Sequence, residues 1–282
     1  MNRENCCYIN SVLVALFSPQ TTFINNMISS KLTLRTKNYF CSNNPSKDLK
    51  IRKQIQSQLQ NINATISLSP SYNSCLKLRN TISSCPTNDT FHLTDMNDAS
   101  DLLQYILNIF DTKVATFRQN IYLTNNLTSE MPKKMGKIEE NVVRDSVFID
   151  IDALAFLPAN KTYKTSKFLK FKSYDEDINV RERKIIQHEL IDSPYIVFRF
   201  SRLFEYSDKF INTKITPDKN IGNLELASII IYQNFHYTTY FKYDDIWYYY
   251  DDNTAIKVIG NYKNLLKAKP SVKSNGICYI YT

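Results

Sequence analysis

The pattern of apolar residues changes near residue 113, and this change restricts the fold more than any other feature of the sequence. Before it, apolar residues recur at helical spacing over residues 8–28, with a break at Pro19, and again over 95–110. After it, alternating or short apolar runs typical of β-strands follow at 147–157, 195–200, 226–232, His236–Tyr243, 246–251 and Gly276–Tyr281. We therefore predict an α+β protein with two lobes.

Three polar stretches lie between these segments. Residues 48–59 lack Gly and Pro and are predicted to form an exposed helix. Residues 61–90 are rich in Ser, Asn, Thr and Pro and are predicted to be irregular. Residues 113–142 are polar and Lys-rich, and we predict a mobile excursion there.

Charge and glycine content exclude several classes of binding protein. The chain has 282 residues and a formal charge of +8, but its Lys and Arg residues are scattered, with short clusters such as 164–172. This pattern argues against a nucleic-acid-binding arm, although a basic, Tyr-rich nucleic-acid binder stays open as an alternative. Only 4 glycines are present, so a glycine-rich phosphate loop is nearly excluded.

The six cysteines form no disulfide framework and contain no Cys-x-x-Cys pair. We therefore expect a reducing compartment, the cytoplasm or nucleus, and no structural zinc. No apolar run reaches membrane-spanning length, and no signal-peptide cleavage site follows the apolar segment 12–17. The prediction is a soluble intracellular protein without membrane contact.

Residues 2–11 carry the first candidate for catalysis. Asn5 can cap a helix that begins near Cys7, and a cysteine at a helix N-terminus is favoured as the thiolate. Cys7 is therefore a candidate nucleophile. The alternative is a small buried apolar residue, because free cysteines are among the most buried residue types.

Residues 235–253 carry the second candidate. Two strands flank a turn at Asp244–Asp245, which brings the start of one strand beside the end of the other. His236 and Asp251 are then neighbours, although 15 residues separate them in sequence. We expect the carboxylate to accept from Nδ1 of the imidazole, leaving Nε2 to activate a thiol. The alternatives are a structural histidine and an acidic turn after a strand.

Five segments, which occur along the chain in the family's order, resemble the conserved boxes of the ubiquitin-specific proteases. Residues 2–11 resemble that family's cysteine box, and residues 236–252 resemble its histidine box. Residues 97–103 are similar to its Gln-Asp-Ala-x-Glu-Phe helix, and 194–203 to its Pro-x-x-Leu-x-Ile-x-Leu-Lys-Arg-Phe strand. Residues 278–281 are similar to its closing strand. The resemblance implies a papain-like fold, with a helical thumb over 1–112 and a β palm and reduced fingers over 113–282.

The resemblance also implies catalytic roles. Cys7 matches the family's nucleophile, His236 its base and Asp251 the residue that orients the base. Asn2 matches the donor to the oxyanion of the tetrahedral intermediate, although it directly follows Met1 and chain termini are often mobile.

Two more acidic residues acquire roles in the same way. Asp252 matches a supporting second carboxylate, and Asp98 matches an acid that holds the basic C-terminal tail of ubiquitin. For Asp98 and Asp101 the alternative is a charge that favours a helix N-terminus.

The implied activity is hydrolysis of the bond after the C-terminal Gly of ubiquitin by a monomeric thiol protease without cofactor or metal. The alternatives are an inactive ubiquitin-binding module and a protease for another ubiquitin-like modifier or a polyprotein. The chain also departs from the family pattern. Glu4 and Cys6 replace the usual Gly and Thr, Phe235 replaces the Gly before the histidine, and the finger cysteines are missing. The short loop before His236 predicts a cleft that is open without ubiquitin.

Overall fold

The computed structural model describes residues 6–37, 40–66, 72–85, 97–111, 115–124, 137–151, 161–174, 183–200 and 213–282. The helices are α1 (Cys7–Phe17), α2 (Thr22–Ser29), α3 (Pro45–Thr65), α4 (Tyr72–Ser83), α5 (Ala99–Leu107), the 3-10 helix η1 (Thr165–Leu169), α6 (Tyr262–Leu265) and α7 (Val272–Asn275). The strands are β1 (Ala115–Thr124), β2 (Ile138–Ser146), β3 (Ile149–Ile151), β4 (Thr162–Lys164), β5 (Lys170–Tyr174), β6 (Arg183–Asp192), β7 (Ile196–Phe200), β8 (Lys214–Thr216), β9 (Asn220–Ile221), β10 (Leu224–Gln233), β11 (His236–Tyr243), β12 (Ile246–Tyr250), β13 (Lys257–Gly260) and β14 (Gly276–Tyr281). The protein has the α+β fold predicted from its sequence.

The chain forms two compact units. The first comprises residues 1–112, 227–270 and Thr282, and the second comprises 113–226 and 271–281. The strands after residue 226 that form the predicted hairpin therefore belong to the same unit as the N-terminal helices. The predicted thumb, palm and finger assignment stays a prediction.

Helix α1 is the centre of the first unit. All eleven of its residues are buried, and it contacts both α5 and β11. A helix that is apolar on every side packs stably only when other elements surround it. A side-chain bond from β10 also holds this helix, since Ser228 Oγ donates to the Ala15 carbonyl at 2.7 Å.

Side-chain caps fix where the neighbouring helices begin. Asn44 accepts from the backbone of the first turn of α3, which starts with Pro45, and Thr21 accepts from Ile24 N at the start of α2. Pro19 precedes this cap, so the predicted break between two helices is confirmed. Among the described residues no single helix is long and apolar enough to span a membrane; α1 and α2 reach that length and composition only when counted together, across a bend of 107°.

A buried guanidinium anchors the chain just after α5. Arg52 of α3 is fully buried and donates to the Ile109 carbonyl at 2.7 Å and to the Thr33 carbonyl at 2.9 Å. It also pairs with Asp111 at 2.5 Å. Because buried charges are costly unless they are paired and hydrogen-bonded, this set holds the C-terminal end of α5 in one position.

The described strands of the second unit pair in several groups. Strands β2, β1, β6 and β5 form an antiparallel sheet in that order. Strand β7 pairs antiparallel with β14 and parallel with β3, and the short strands β4 and β8 pair parallel. The prediction of a mobile excursion over 113–142 is wrong for its described residues, because β1 and the start of β2 lie there. Strand β2 is largely exposed, so it lacks the apolar alternation that indicates a strand.

Two further expectations are corrected. Helix α4 lies inside the stretch that composition predicted to be irregular. Cys41 and Cys85 form a disulfide, although the cysteine spacing indicated none. Cys6, Cys7, Cys75 and Cys278 are not in disulfides.

Candidate active site

Cys7 is the first residue of helix α1, as predicted. It is buried, with 8% of its surface exposed, as is the helix that follows it. The residue at the capping position is Cys6, whose side chain makes no capping hydrogen bond. The predicted cap, Asn5, lies outside the described residues. The first-turn N–H groups of α1 therefore favour an anion at this end of the helix.

The β11–β12 hairpin brings His236 and Asp251 together. The strands pair from Tyr243 and Ile246 beside the turn to Thr239 and Tyr250. His236 begins β11 and Asp251 directly follows β12, so both lie at the end of the hairpin away from its turn. Their predicted proximity is confirmed, since His236 Nε2 lies 2.9 Å from Asp251 Oδ1.

Two carboxylates face the same imidazole nitrogen. Asp252 Oδ1 lies 3.5 Å from His236 Nε2, and the Asp252 side chain is only 8% exposed. Asp251 is the closer of the two, and its Oδ1 also accepts from the Asn253 backbone N–H at 3.0 Å. This local turn fixes the Asp251 carboxylate, which in turn fixes the plane of the imidazole.

The imidazole is turned opposite to the prediction from sequence. We expected Asp251 to bind Nδ1, but it binds Nε2. Nδ1 is therefore the nitrogen left for Cys7, whose side chain hydrogen-bonds His236.

The surroundings of His236 favour its protonated form. Its pKa rises from 6.5 to about 9, chiefly through the hydrogen bond to Cys7 and then through the bond to Asp251, while partial burial opposes the rise. At neutral pH the site therefore favours an imidazolium beside the sulfur. This is the arrangement that activates a thiol for nucleophilic attack.

Sequence reasoning assigned no role to Asn10, which ties the first helix to the acidic pair. Asn10 is one turn beyond Cys7 in α1, and its Nδ2 donates to Asp252 Oδ2 at 3.3 Å. Nearby, Thr239 Oγ1 donates to the Ser11 carbonyl at 2.9 Å. These bonds fix α1 against the hairpin that carries His236. The signal was present, because Asn10 and Ser11 close the cysteine box.

Arg79 is the other residue that the sequence did not indicate. It lies in α4 and is almost fully buried. Its Nη1 donates to Cys6 Sγ at 3.7 Å, and its guanidinium lies 5.9 Å from the centre of the Tyr8 ring. A buried cation thus lies at the start of α1. No pattern could have revealed it, since its helix was predicted to be irregular.

Asp98 is the N-cap of α5. Its Oδ1 accepts from the Ser100 backbone at 2.6 Å and from the Ser100 hydroxyl at 2.5 Å. Burial raises the pKa of Tyr232 and Tyr237, and the nearby charges of Asp98 and Cys7 raise them further. Asp98, the two tyrosines and Cys7 therefore lie around one region of the first unit. Asn2 lies outside the described residues.

The same carboxylates and imidazole satisfy a minimal metal-binding set. His236, Asp251 and Asp252 each offer one ligand atom, and these atoms lie within 4.8 Å of one another. One nitrogen and two carboxylate oxygens can bind a divalent cation. The bonds to Cys7 and Asp251 already give each imidazole nitrogen a partner, so a cation would compete with the thiol-activating arrangement.

Comparison with known proteins supports the fold. The chain superposes on a protein of the SAGA Ubp8/Sgf11/Sus1/Sgf73 DUB module with a TM-score of 0.58 and 14% identity, covering 100% of this chain and 68% of the other. It matches the MERS coronavirus papain-like protease with a TM-score of 0.48 and 11% identity, covering 100% of this chain and 63% of that one. No protein-family model matches the sequence. No curated protein matches it either. The likeness to the DUB-module structure confirms the predicted α+β fold.

Proposed function

We propose that this protein is a thiol protease that removes ubiquitin, cleaving the peptide or isopeptide bond after the C-terminal Gly. One observation carries the proposal: His236 binds Asp251 at 2.9 Å and lies close enough to Cys7, at the start of a buried helix, for this cysteine to raise the His236 pKa. These three residue types in this order of contact perform nucleophilic acyl transfer. The fold likeness to the DUB-module structure is consistent with ubiquitin as the substrate.

The chemistry follows from the arrangement. The Cys7 thiolate attacks the carbonyl carbon of the terminal Gly, and the bond to the leaving amine breaks as the His236 imidazolium gives the amine a proton. A thioester to Cys7 remains. The neutral imidazole then takes a proton from water, the hydroxide attacks the thioester, and the Gly carboxylate leaves as Cys7 is regenerated.

Supporting roles are assigned to three further residues. Asn2 donates to the oxyanion, Asp252 supports the imidazole at the same nitrogen as Asp251, and Asp98 binds a basic residue of the ubiquitin tail. For Asp98 the geometry leaves room for both functions, because Ser100 occupies one carboxylate oxygen, Oδ1. The enzyme acts as a monomer in the cytoplasm or nucleus. We assign it no cofactor, nucleic-acid ligand or membrane contact.

A ubiquitin derivative with a thiol-reactive group at its C-terminus tests the proposal. The wild type should form a covalent adduct and Cys7→Ser should not. Cys6→Ser is the matched control, because it removes the adjacent thiol and should leave the adduct unchanged. An adduct on Cys7→Ser, or none on the wild type, overturns the assignment. If the protein reacts only with a probe built on another ubiquitin-like modifier, the catalytic assignment stands and that modifier replaces ubiquitin as the substrate.

A further inference from the structure

The residue before His236 is an aromatic side chain in a backbone conformation that such residues avoid. Strands β10 and β11 pair at Gln233 and His236, so Asn234 and Phe235 form a two-residue hairpin turn. Both have positive φ, 52° at Asn234 and 59° at Phe235. Asn tolerates this left-handed region, and Gly is the usual residue at the second position. A Phe there destabilises the folded chain.

Packing does not offset this strain. The Phe235 side chain is 79% exposed, and no other large apolar side chain among the described residues is more exposed. The ring therefore contributes little to the core and occupies a position where Gly or Asn would fit better. Strained residues of this kind are concentrated at ligand sites.

The turn lies beside the reacting atoms. Phe235 is adjacent to His236, whose ring hydrogen-bonds Cys7. Three residues earlier, Tyr232 is close enough to both Asp98 and Cys7 for their charges to raise its pKa further, although burial is the main cause. The Tyr232 and Tyr237 rings lie 4.8 Å apart. Aromatic side chains are thus concentrated at this end of the β10–β11 hairpin.

We propose that Phe235 is a specificity-determining substrate contact, whose ring packs on the backbone of the residues just before the scissile bond. This inference rests on the proposed function, in which Asp98 holds the tail on the acyl side of the bond. A ring laid on the chain there favours residues without side chains, such as glycine, because a Cβ would push it away. Binding of the tail therefore covers the ring that the free enzyme exposes.

Three substitutions of Phe235 distinguish the effect of the aromatic ring from the effect of the turn conformation. Phe235→Gly removes the ring and the strain, Phe235→Asn keeps a residue that tolerates positive φ, and Phe235→Tyr keeps the ring. Asp245→Gly is the matched control. Asp245 occupies the equivalent position of the β11–β12 turn, with φ 63°, at the opposite end of β11. It tests whether relief of turn strain alone alters activity.

Steady-state hydrolysis of ubiquitin with a small fluorogenic amide leaving group gives the readout. We expect KM to rise about 10- to 100-fold in Phe235→Gly and Phe235→Asn, the range that burial of one Phe side chain corresponds to. We expect kcat to change less than about twofold, Phe235→Tyr to match the wild type, and the melting temperature of Phe235→Gly not to fall. Asp245→Gly should leave KM unchanged. The small leaving group restricts the test to the acyl side.

Each outcome supports or overturns the proposed role of Phe235. Unchanged KM in the Gly and Asn variants of an active enzyme overturns the role of Phe235 and leaves the proposed function intact. If kcat falls in Phe235→Gly and is restored in Phe235→Asn, the residue acts through the rigidity of the turn. That result also overturns the proposed substrate contact. A wild type that reacts with no ubiquitin derivative overturns the proposed function and this inference together.

Discussion

The pKa of His236 is the property that connects this geometry to its chemistry most directly. Two neighbours raise it, and the hydrogen bond to Cys7 is the stronger influence. Replacing Cys7 by Ala should therefore lower the His236 pKa further than replacing Asp251 by Asn. The order of the two effects distinguishes a thiolate–imidazolium pair from a histidine that is charged mainly because of its carboxylate.

The magnitude follows from the size of the rise. A pKa raised from 6.5 to about 9 corresponds to about 3 kcal/mol in favour of the imidazolium, since one pH unit is about 1.36 kcal/mol. Because the folded state raises this pKa, the contribution to stability is complete below pH 6.5 and is lost as the pH rises to about 9. Without the sulfur, partial burial opposes the remaining carboxylates, and the pKa should return most of the way to 6.5.

Imidazole NMR titration of the wild type, Cys7→Ala and Asp251→Asn measures these values. His236→Gln assigns the signal. His188 provides an internal comparison, because burial lowers its pKa from 6.5 to about 4, so its titration is well separated. The pH dependence of the rate at which iodoacetamide alkylates Cys7 tests for the same ion pair through the reactivity of the sulfur.

Three results would refute the reasoning. A His236 pKa that stays near 9 in Cys7→Ala would show that the thiolate is not the main cause. A larger fall in Asp251→Asn than in Cys7→Ala would transfer that role to the carboxylate. A His236 pKa near 6.5 in the wild type would remove the ion pair altogether.

Three further predictions concern single features. His188 stays neutral in the folded protein, so the free energy of unfolding should fall as the pH drops from 6.5 to about 4. In denaturant titrations His188→Gln should reduce this dependence on pH, and an unchanged dependence would contradict the assignment. Cys85→Ser should lower the free energy of unfolding by about 4 kcal/mol, as expected for a 44-residue separation between Cys41 and Cys85, and reducing agent should destabilise only the wild type. Asn10→Ala should lower kcat about tenfold with little change in KM, because Asn10 holds Asp252 and does not touch the substrate. A change in KM alone would argue against this positioning role.

Local patterns predicted the elements that carry the candidate catalytic residues. Helix α1 has a run of apolar residues after Cys7, and the β11–β12 hairpin has alternating residues around two acidic turn residues. The strand bounds His236–Tyr243 and Gly276–Tyr281 were predicted to the residue. Such patterns succeed because each depends on neighbours within a few residues.

The failures concern elements whose stability comes from elsewhere. Helix α4 is polar in composition, yet it buries Cys75, Leu78 and Ile82. Strand β2 pairs with β1 through backbone hydrogen bonds while most of its side chains remain in solvent. The disulfide joins cysteines that no spacing rule connects. In each case the stabilising partner lies outside the segment itself, so local composition carried no signal.

The sequence by itself determined which residue types could form a nucleophile, a base and an orienting acid, and at which ends of which elements they would lie. Tertiary structure alone decided that α1 packs on β11, which brings Cys7 to a histidine 229 residues later. It also decided which imidazole nitrogen faces the sulfur, and that Asn10 and Arg79 support the site. The physical reason is that side-chain contacts across 229 residues depend on how a core packs, and no local preference specifies that packing.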